Sequence, residues 1–358
     1  MDVKKKVFFI VPSMRGGGSE RVMSILLTHL DRSKFDVVLI LLKKEGRYLE
    51  DLPNDLKIID LNVSHARKAM LKIAKLIREE KPNVVFSTLG YLNILISIIR
   101  PFFSKKIKFI GRESSIVSVK NKKEKYPKLF DFLYKFFYSN FDMIISQSYY
   151  MKNDLMDNYR IKDNKIKVIN NPVDIDKINI LSQEIVQEKV QLLAVGRLSY
   201  VKNFQVLIKV LVKLPDVELT ILGEGKEKEN LVDLAKELDV LPRVTFLGFQ
   251  DNPYKYMKNA NLLVLTSHYE GFPNVILEAN ACGLPVVAFK CPGGTAEIIE
   301  EGVNGFLVEC GNLKKLSQRI KESLTYKWNK QEVERIINER YEVKTIVASY
   351  SKVISETI

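Results

Sequence analysis

Two glutamates eight residues apart, Glu270 and Glu278, frame the middle of "YEGFPNVILEANACGLPVVAF" (269–289). Glu270 stands in a loop after an apolar strand, whereas Glu278 falls inside an apolar helical run. Pro273 suits the first turn of that helix, where its fixed φ helps and its missing N–H is not needed. A carboxylate buried in such a helix is costly without partners. Sugar hydroxyls are good partners for an acceptor-only carboxylate. Taken singly, each glutamate is more commonly a structural partner of a nearby Arg or Lys.

Other candidates occupy the same kind of position, just past a strand. "PSMRGGGSERV" (12–22) sets Gly17 and Gly18 before a helix that starts near Ser19. Glycines let a backbone approach a ligand closely, and free N–H groups at a helix start suit a phosphate. The run is not G-x-G-x-x-G, and it fits a plain tight turn equally well. "VGRLSYVKN" (195–203) puts Arg197 and Lys202 after a strand, a fork and a point charge suited to a diphosphate. A solvated loop is the alternative. "LGEGKEKEN" (222–230) lacks the spacing of a P-loop and is rejected as one. Cys282, Cys291 and Cys310 have no paired close spacing and read as buried neutral thiols. His29, His65 and His268 are too scattered to argue a metal site.

The elements that must carry these residues follow a regular rhythm. Strands are predicted at 5–12, 35–42, 83–88, 107–111, 142–148 and 166–172, with helical patterns such as "RVMSILLTHL" and "ARKAMLKIAKLIREEK" between several of them. A second series begins with "VQLLAVGR" and continues through "VELTILGEG", "RVTFLGF", "ANLLVLTS", "PVVAF" and "GFLV". Strands that are apolar throughout and alternate with helices indicate a parallel sheet covered on both faces. With 358 residues, the chain fits two doubly wound α/β domains, 1–171 and 172–341. The join falls in the polar stretch 170–189. Residues 342–358 have helical spacing with no strand after them, which predicts a terminal helix packing back on the first domain. In open parallel sheets ligands collect outside the carboxyl ends of the strands, so these loops are where a site belongs.

Charge divides unevenly. Residues 1–171 hold 33 Lys and Arg against 18 Asp and Glu, a net of +15, while the other 187 hold 23 against 25, a net of −2. A one-sign field on the first domain points to an anionic partner there: a phosphorylated ligand, a nucleic acid or a membrane surface. "LNILISII" (92–99) falls well short of the roughly 20 apolar residues a spanning helix needs. The N-terminus has a basic start and a short apolar run, but the run ends at Pro12 without a small-residue cleavage site, as expected for a first strand of a cytoplasmic protein.

In the second half, "GRLSYVKN", "LTILGEGKEKENLVDLAKEL", "VTFLGFQDN", "LVLTSHYEGFPNVILEANACGLPVVAF" and "GGTAEIIEEGVNGFLV" occur in that order, and the acidic pair fits E-x7-E. This set, over about residues 190–310, resembles the family 4 (group 1) retaining glycosyltransferases. Over the first half the likeness is looser, carried by "GGGSERV" and "VINNPVD". The resemblance implies a GT-B fold, two Rossmann-like domains facing a central cleft, the first binding the acceptor and the second the nucleotide sugar. It implies that Glu278 binds the ribose and Glu270 lies by the donor sugar, with Arg197 and Lys202 holding the diphosphate as it leaves and no metal required. It further implies that Gly17 and Gly18 approach the same phosphates, that the loop with Gly248 and Phe249 meets the base, and that the backbone of Gly271, Phe272, Pro273 and Asn274 contacts sugar and phosphate. The family's chemistry is front-face displacement, in which the leaving phosphate takes the acceptor proton. Many relatives carry a histidine where this chain has "IGRESS", so Arg112 and Glu113 take the acceptor or sugar side here. UDP is the family's commonest carrier.

Lysines interleave with aromatics in "VKNKKEKYPKLFDFLYKFFYSNF" (119–141) and "IIRPFFSKKIKF" (98–109). Such a pattern suits an anionic bilayer interface, though an ordinary lysine-rich solvent face reads the same way. The expectation is therefore an enzyme peripheral to the inner face of the cytoplasmic membrane. It would move a hexose or N-acetylhexosamine from a nucleotide sugar to a lipid-linked saccharide, without a nucleic-acid partner. An epimerase-type enzyme of the same fold, and a basic nucleic-acid-binding protein, are the alternatives.

Overall fold

The computed structural model describes residues 4–63, 66–183 and 190–358. Residues 1–3, Ser64, His65 and the last part of the expected join, 184–189, lie outside the described residues. Contacts divide the chain into two units, Met1–Pro172 with Val343–Ile358, and Val173–Glu342.

The first unit is built on strands β1 (Lys5–Val11), β2 (Phe35–Leu41), β3 (Lys57–Asp60), β4 (Val84–Thr88), β5 (Lys108–Arg112), β6 (Met143–Ser146) and β7 (Ile166–Val168). They form one sheet in the order β3-β2-β1-β4-β5-β6-β7 with every pair parallel. The helices are α1 (Gly18–His29), α2 (Ala66–Glu80), α3 (Gly90–Ile99), α4 (Val117–Asn121), α5 (Pro127–Phe137) and α6 (Tyr149–Tyr159). Successive side chains of a strand point to opposite faces. Val7, Phe9 and Val11 accordingly pack with Val22 and Leu26 of α1, and Phe8 and Ile10 with Ile73 of α2 and Leu92 of α3. The pattern misses β3, a four-residue edge strand with exposed Lys57 and Asp60 at its ends and half-buried Ile58 and Ile59 between them, which has no continuous apolar run to find.

The second unit has β8 (Val190–Val195), β9 (Leu219–Leu222), β10 (Val244–Gly248), β11 (Ala260–Leu265), β12 (Val286–Phe289) and β13 (Gly305–Val308), again parallel, in the order β10-β9-β8-β11-β12-β13. Its helices are α7 (Ile175–Leu181), α8 (Gln205–Leu211), α9 (Lys228–Glu237), α10 (Tyr254–Asn259), α11 (Asn274–Ala281), α12 (Thr295–Ile298), α13 (Leu313–Thr325) and α14 (Lys330–Tyr341). The last helix, α15 (Val343–Thr357), belongs to the first unit, where Tyr350 and Ile354 join the core beside α1. Where the chain enters and leaves the second unit, the Val173 N–H donates to the Tyr341 carbonyl at 2.8 Å.

In both sheets the strand order reverses between the first and fourth strands in sequence, β1 and β4 in one, β8 and β11 in the other. Connections leave these neighbours toward opposite faces, which opens a crevice at the carboxyl edge.

A buried amide pair closes the far side of the second sheet. Asn304 Nδ2 donates to Asn280 Oδ1 at 3.1 Å and to the Ile298 carbonyl at 3.0 Å, while its Oδ1 accepts the Glu300 N–H at 2.7 Å. Asn304→Ala would leave several of these groups unpaired in the interior and is expected to cost about 2–4 kcal/mol, read as a lowered denaturation midpoint. A midpoint within experimental error of the parent chain would refute this account of the pair.

Candidate active site

Three strand exits of the second unit are stitched together where glycine removes the obstructing side chain. The Gly196 N–H donates to the Leu222 carbonyl at 2.9 Å, the Leu198 N–H to Glu224 at 2.8 Å, and the Gly223 N–H to Gly248 at 2.7 Å. Gly223 (φ +137°) lies so close that a Cβ on it would overlap the Gly196 carbonyl, and a Cβ on Gly225 (φ +157°) would overlap that of Leu198. This stitching fixes the loop after β8, which ends in a turn of 3₁₀ helix over Tyr200–Lys202 and a left-handed Asn203.

The loop after β11 comes up beside it. Thr266 Oγ1 donates to the Asn203 carbonyl at 3.1 Å, and the His268 N–H to Val201 at 2.8 Å. The Tyr200 and His268 rings stack at 4.5 Å between centroids. Lys202 Nζ then reaches Glu270 Oε1 at 2.7 Å, and Ser267 Oγ donates to the same oxygen at 2.6 Å. The two ends of the ion pair are largely shielded, with side-chain exposures of 22% and 13%. Glu270 is itself held through its backbone: its N–H donates to Pro292 at 3.0 Å, and the Gly294 N–H to Gly271 at 3.0 Å. Gly293 (φ +119°) makes this possible, since any Cβ there would fall on the Glu270 carbonyl.

Arg197 is exposed and makes no ion pair among the described residues. Pro273 is the residue before α11, in an extended conformation, and the helix begins at Asn274. Glu278 lies on α11 and is buried, 8% exposed. Gly271 and Asn274 are half-buried and Phe272 is buried in the core of this unit. Gly248 ends β10 with φ +70°, beyond an irregularity in its pairing with β9, and the next ring, Phe249, is exposed. Arg197, Lys202, Glu270, Gly248 and the start of α11 thus all stand at the carboxyl edge of one sheet, with the Lys202–Glu270 pair spanning the β8/β11 reversal.

In the first unit, Gly17 precedes α1 and offers it no side-chain cap, and Gly18 is its first residue. Arg112 and Glu113 sit at the carboxyl end of β5, both fully buried, where Arg112 donates to Tyr350 and Asn171 and Glu113 accepts from Tyr134. Cys282 and Cys291 are buried, with burial pushing each thiol up to about 12, but Cys310 is exposed, in the turn between β13 and α13, and does not fit the expected buried set. Among the described residues no group of three or more His, Cys, Asp or Glu could hold a metal ion. A groove of about 630 Å³ in the first unit, lined by Lys108, Lys152, Lys167 and Glu356 among others, contains none of the candidate residues.

Ser267 and Gly293 were not legible as site residues. The contact between Gly293 and Glu270 joins positions 23 apart with no spacing rule, and only the phrase "CPGGT" hints at a turn there.

Two doubly wound parallel-sheet α/β units in one chain are the architecture of the GT-B class of sugar-transferring enzymes. Family models place the chain directly: "Glycosyl transferases group 1" matches residues 176–343 and "Glycosyltransferase Family 4" matches residues 16–177. The chain belongs to the group 1, family 4 glycosyltransferases and is a glycosyltransferase. It is 32% identical over 334 residues, 89% of this chain and 90% of the relative, to the N-acetylgalactosamine-N,N'-diacetylbacillosaminyl-diphospho-undecaprenol 4-alpha-N-acetylgalactosaminyltransferase of Campylobacter jejuni. It is 26% identical to the amylovoran biosynthesis glycosyltransferase AmsD of Erwinia amylovora, with 82% of each chain covered. Its fold is that of Anabaena HepE, solved in complex with UDP, at a TM-score of 0.79 and 22% identity over 98% of this chain and 100% of that one. The lipopolysaccharide outer core galactosyltransferase WaaB has the same TM-score and identity, over 99% and 100%.

Gly293 and Gly311 both have positive φ, but nothing stands within 4 Å of where a Gly311 Cβ would be. Gly311→Ala is expected to cost about 1 kcal/mol. Gly293→Ala must move the Glu270 backbone and should cost about 3 kcal/mol or more, with a larger loss of transferase activity. Equal midpoints and activities for the two variants would show that the clamp on Glu270 does not matter.

Proposed function

We propose that this protein is a retaining glycosyltransferase that moves a hexose or N-acetylhexosamine from a UDP-linked donor to a lipid-linked saccharide in bacterial surface polysaccharide or glycan assembly. The observation that carries the reading is the Lys202–Glu270 pair, with Arg197 on the same loop, at the reversal of the second sheet. Arg197 and Lys202 would hold the diphosphate and balance its charge as it departs, in place of a metal. Glu270 would accept hydroxyls of the donor sugar, and Glu278, one turn into α11, those of the ribose. Backbone groups of Gly271, Phe272, Pro273 and Asn274 would meet sugar and phosphate, and those of Gly248 and Phe249 the base. The acceptor hydroxyl oxygen would bond to C1 on the face from which the diphosphate oxygen departs, and its proton would pass to that oxygen.

The lipid-linked acceptor is supported by the Campylobacter jejuni relative, named for transfer to a diphospho-undecaprenol-linked saccharide, and UDP by the ligand of HepE. A bilayer surface on the cytoplasmic side is the partner we assign to the first unit. No described helix is long and apolar enough to cross a membrane. On α5, Tyr134 faces the core, while Leu129, Phe132 and Phe136 are 49%, 48% and 63% exposed, with the last two rings 4.3 Å apart. Lys122, Lys123, Lys125, Lys128 and Lys135 are exposed before and along the same helix. Apolar anchors flanked by lysines match an anionic interface.

Two measurements test this reading. Glu278→Ala is expected to weaken UDP binding by about tenfold, the loss of a hydrogen-bonded charge being worth about 1.5–3 kcal/mol; unchanged affinity would remove the ribose assignment. Vesicles containing phosphatidylglycerol should carry the protein on flotation, and the double variant Phe132→Ser, Phe136→Ser should remain in the soluble fraction. Flotation of the variant equal to that of the parent, or no flotation of either, would overturn the membrane assignment.

A further inference from the structure

The chain leaves β4 through Leu89, whose left-handed φ of +75° is strained for a residue other than glycine, and enters α3 at Gly90. No side chain caps this helix start, and the Gly90 and Tyr91 N–H groups have no hydrogen-bond partner among the described residues. Gly90 itself has no positive φ, so it is space that calls for glycine here. A Cβ on it would fall 2.5 Å from the Tyr134 hydroxyl, 3.0 Å from Lys120 Nζ and 3.7 Å from Glu113 Oε2.

Glu113 is fully buried and held by one oxygen only. Its Oε1 accepts from the Tyr134 hydroxyl at 3.1 Å, the Asn93 amide at 3.2 Å and the Tyr138 hydroxyl, whereas Oε2 is buried without a partner. Burial pushes this carboxyl up, toward the neutral form, against the pull of Lys120. A proton kept there belongs on Oε2, the oxygen that no donor reaches. Lys120, half-buried on α4, makes no ion pair or side-chain hydrogen bond among the described residues, and it stands at the positive end of α3, where a second cation is unfavourable. The other charged or titratable groups close by are Glu124 and Tyr159 beside Tyr134, and Glu20 and Arg15, of opposite sign, beside Tyr91.

Two backbone N–H groups, an ammonium and a protonated carboxyl are all donors. A sugar hydroxyl offers only two lone pairs, while the oxygens of a phosphate can accept from the whole set and supply the missing negative charge. The part-exposed Tyr91 and Lys120 leave the point open to solvent, with Glu113 Oε2 behind the ammonium.

We infer that the start of α3, with Lys120 and Glu113, is a phosphate subsite of the first unit that takes the diphosphate of the lipid-linked acceptor. This rests on the acceptor reading proposed above and gives it a place in the fold.

The test is calorimetry on the full chain, saturated with UDP so that the donor site is filled, with geranyl diphosphate as the titrant. Lys120→Met is expected to bind it about tenfold more weakly than the parent, the loss of a charged hydrogen-bond partner. Because the anion needs the Glu113 proton, the parent's affinity should fall as pH rises through the raised value of that carboxyl, whereas Glu113→Gln, whose amide donates at every pH, should lose this part of the profile. Equal affinity of the parent and Lys120→Met, or one pH profile for the parent and Glu113→Gln, would overturn the inference. Dihexanoyl phosphatidylglycerol binding as tightly as geranyl diphosphate would overturn it in favour of a lipid headgroup. Should melting show Lys120→Met to be unfolded, Lys120→Gln is read in its place. A parent that glycosylates a prenyl-diphosphate-linked saccharide, yet binds geranyl diphosphate no better than Lys120→Met, loses this inference alone; a parent that glycosylates only lipid-free saccharides loses the acceptor reading with it.

Discussion

The loop after β8 can hold its two cations in place only because neighbouring backbones reach it without side chains in the way. Gly223 and Gly225 lie against the carbonyls of Gly196 and Leu198 at distances no Cβ could share, and Gly196 leaves room for the stem of Lys202. Backbone hydrogen bonds then join the exits of β8, β9 and β10, and the loop after β11 is tied on through Thr266 and His268. Further along, Gly293 performs the same service for Glu270. The result is a cation and a carboxylate whose positions are set by main-chain contacts from five strand exits. A site fixed in this way loses little further freedom when a ligand arrives.

Topology explains why these loops are neighbours. In each sheet the chain winds outward in both directions from the middle, so the first and fourth strands adjoin and their following segments part to opposite faces. In the first unit the alternation of side chains along β5 adds a second division. Arg112 is delivered to the face covered by α1 and α15, and Glu113 to the face covered by α5. The two charges therefore never compensate each other. A buried polar network on each side takes the load instead, the tyrosine and asparagine donors around Glu113 and the hydroxyl and amide acceptors around Arg112.

Most of the fold could be read from the chain because its signals are local. Every strand of the second sheet is an apolar run of the right length, and the candidate residues Arg197, Lys202 and Glu270 are polar groups set just after such runs. β3 escaped because a short edge strand with Lys57 and Asp60 at its ends carries no such run. What could not be read is what depends on distant pairs. Gly223 and Gly225 look like a failed P-loop in sequence, and their actual task, close packing on residues 196 and 198, shows no motif. Arg112 and Tyr350 are 238 positions apart, and nothing near either one announces the other. Cys310 was misjudged because a neutral thiol in an apolar neighbourhood of sequence can still end on a turn.

The two glutamates differ in what holds them, and this constrains their chemistry. Glu270 Oε1 receives both the Lys202 ammonium and the Ser267 hydroxyl, so it is oriented as an acceptor within a charge pair. Glu278 sits buried on α11, one helical turn beyond Asn274, outside that pair. The two carboxylates are therefore held by different surroundings. The cations differ as well: Arg197 is exposed, whereas Lys202 is already engaged. In the reading proposed for the donor, a diphosphate entering the loop would meet Arg197 at once, but it would have to share or displace Glu270 to reach Lys202. That exchange links the phosphate end of a ligand to the orientation of the carboxylate beside it, because one lysine serves both.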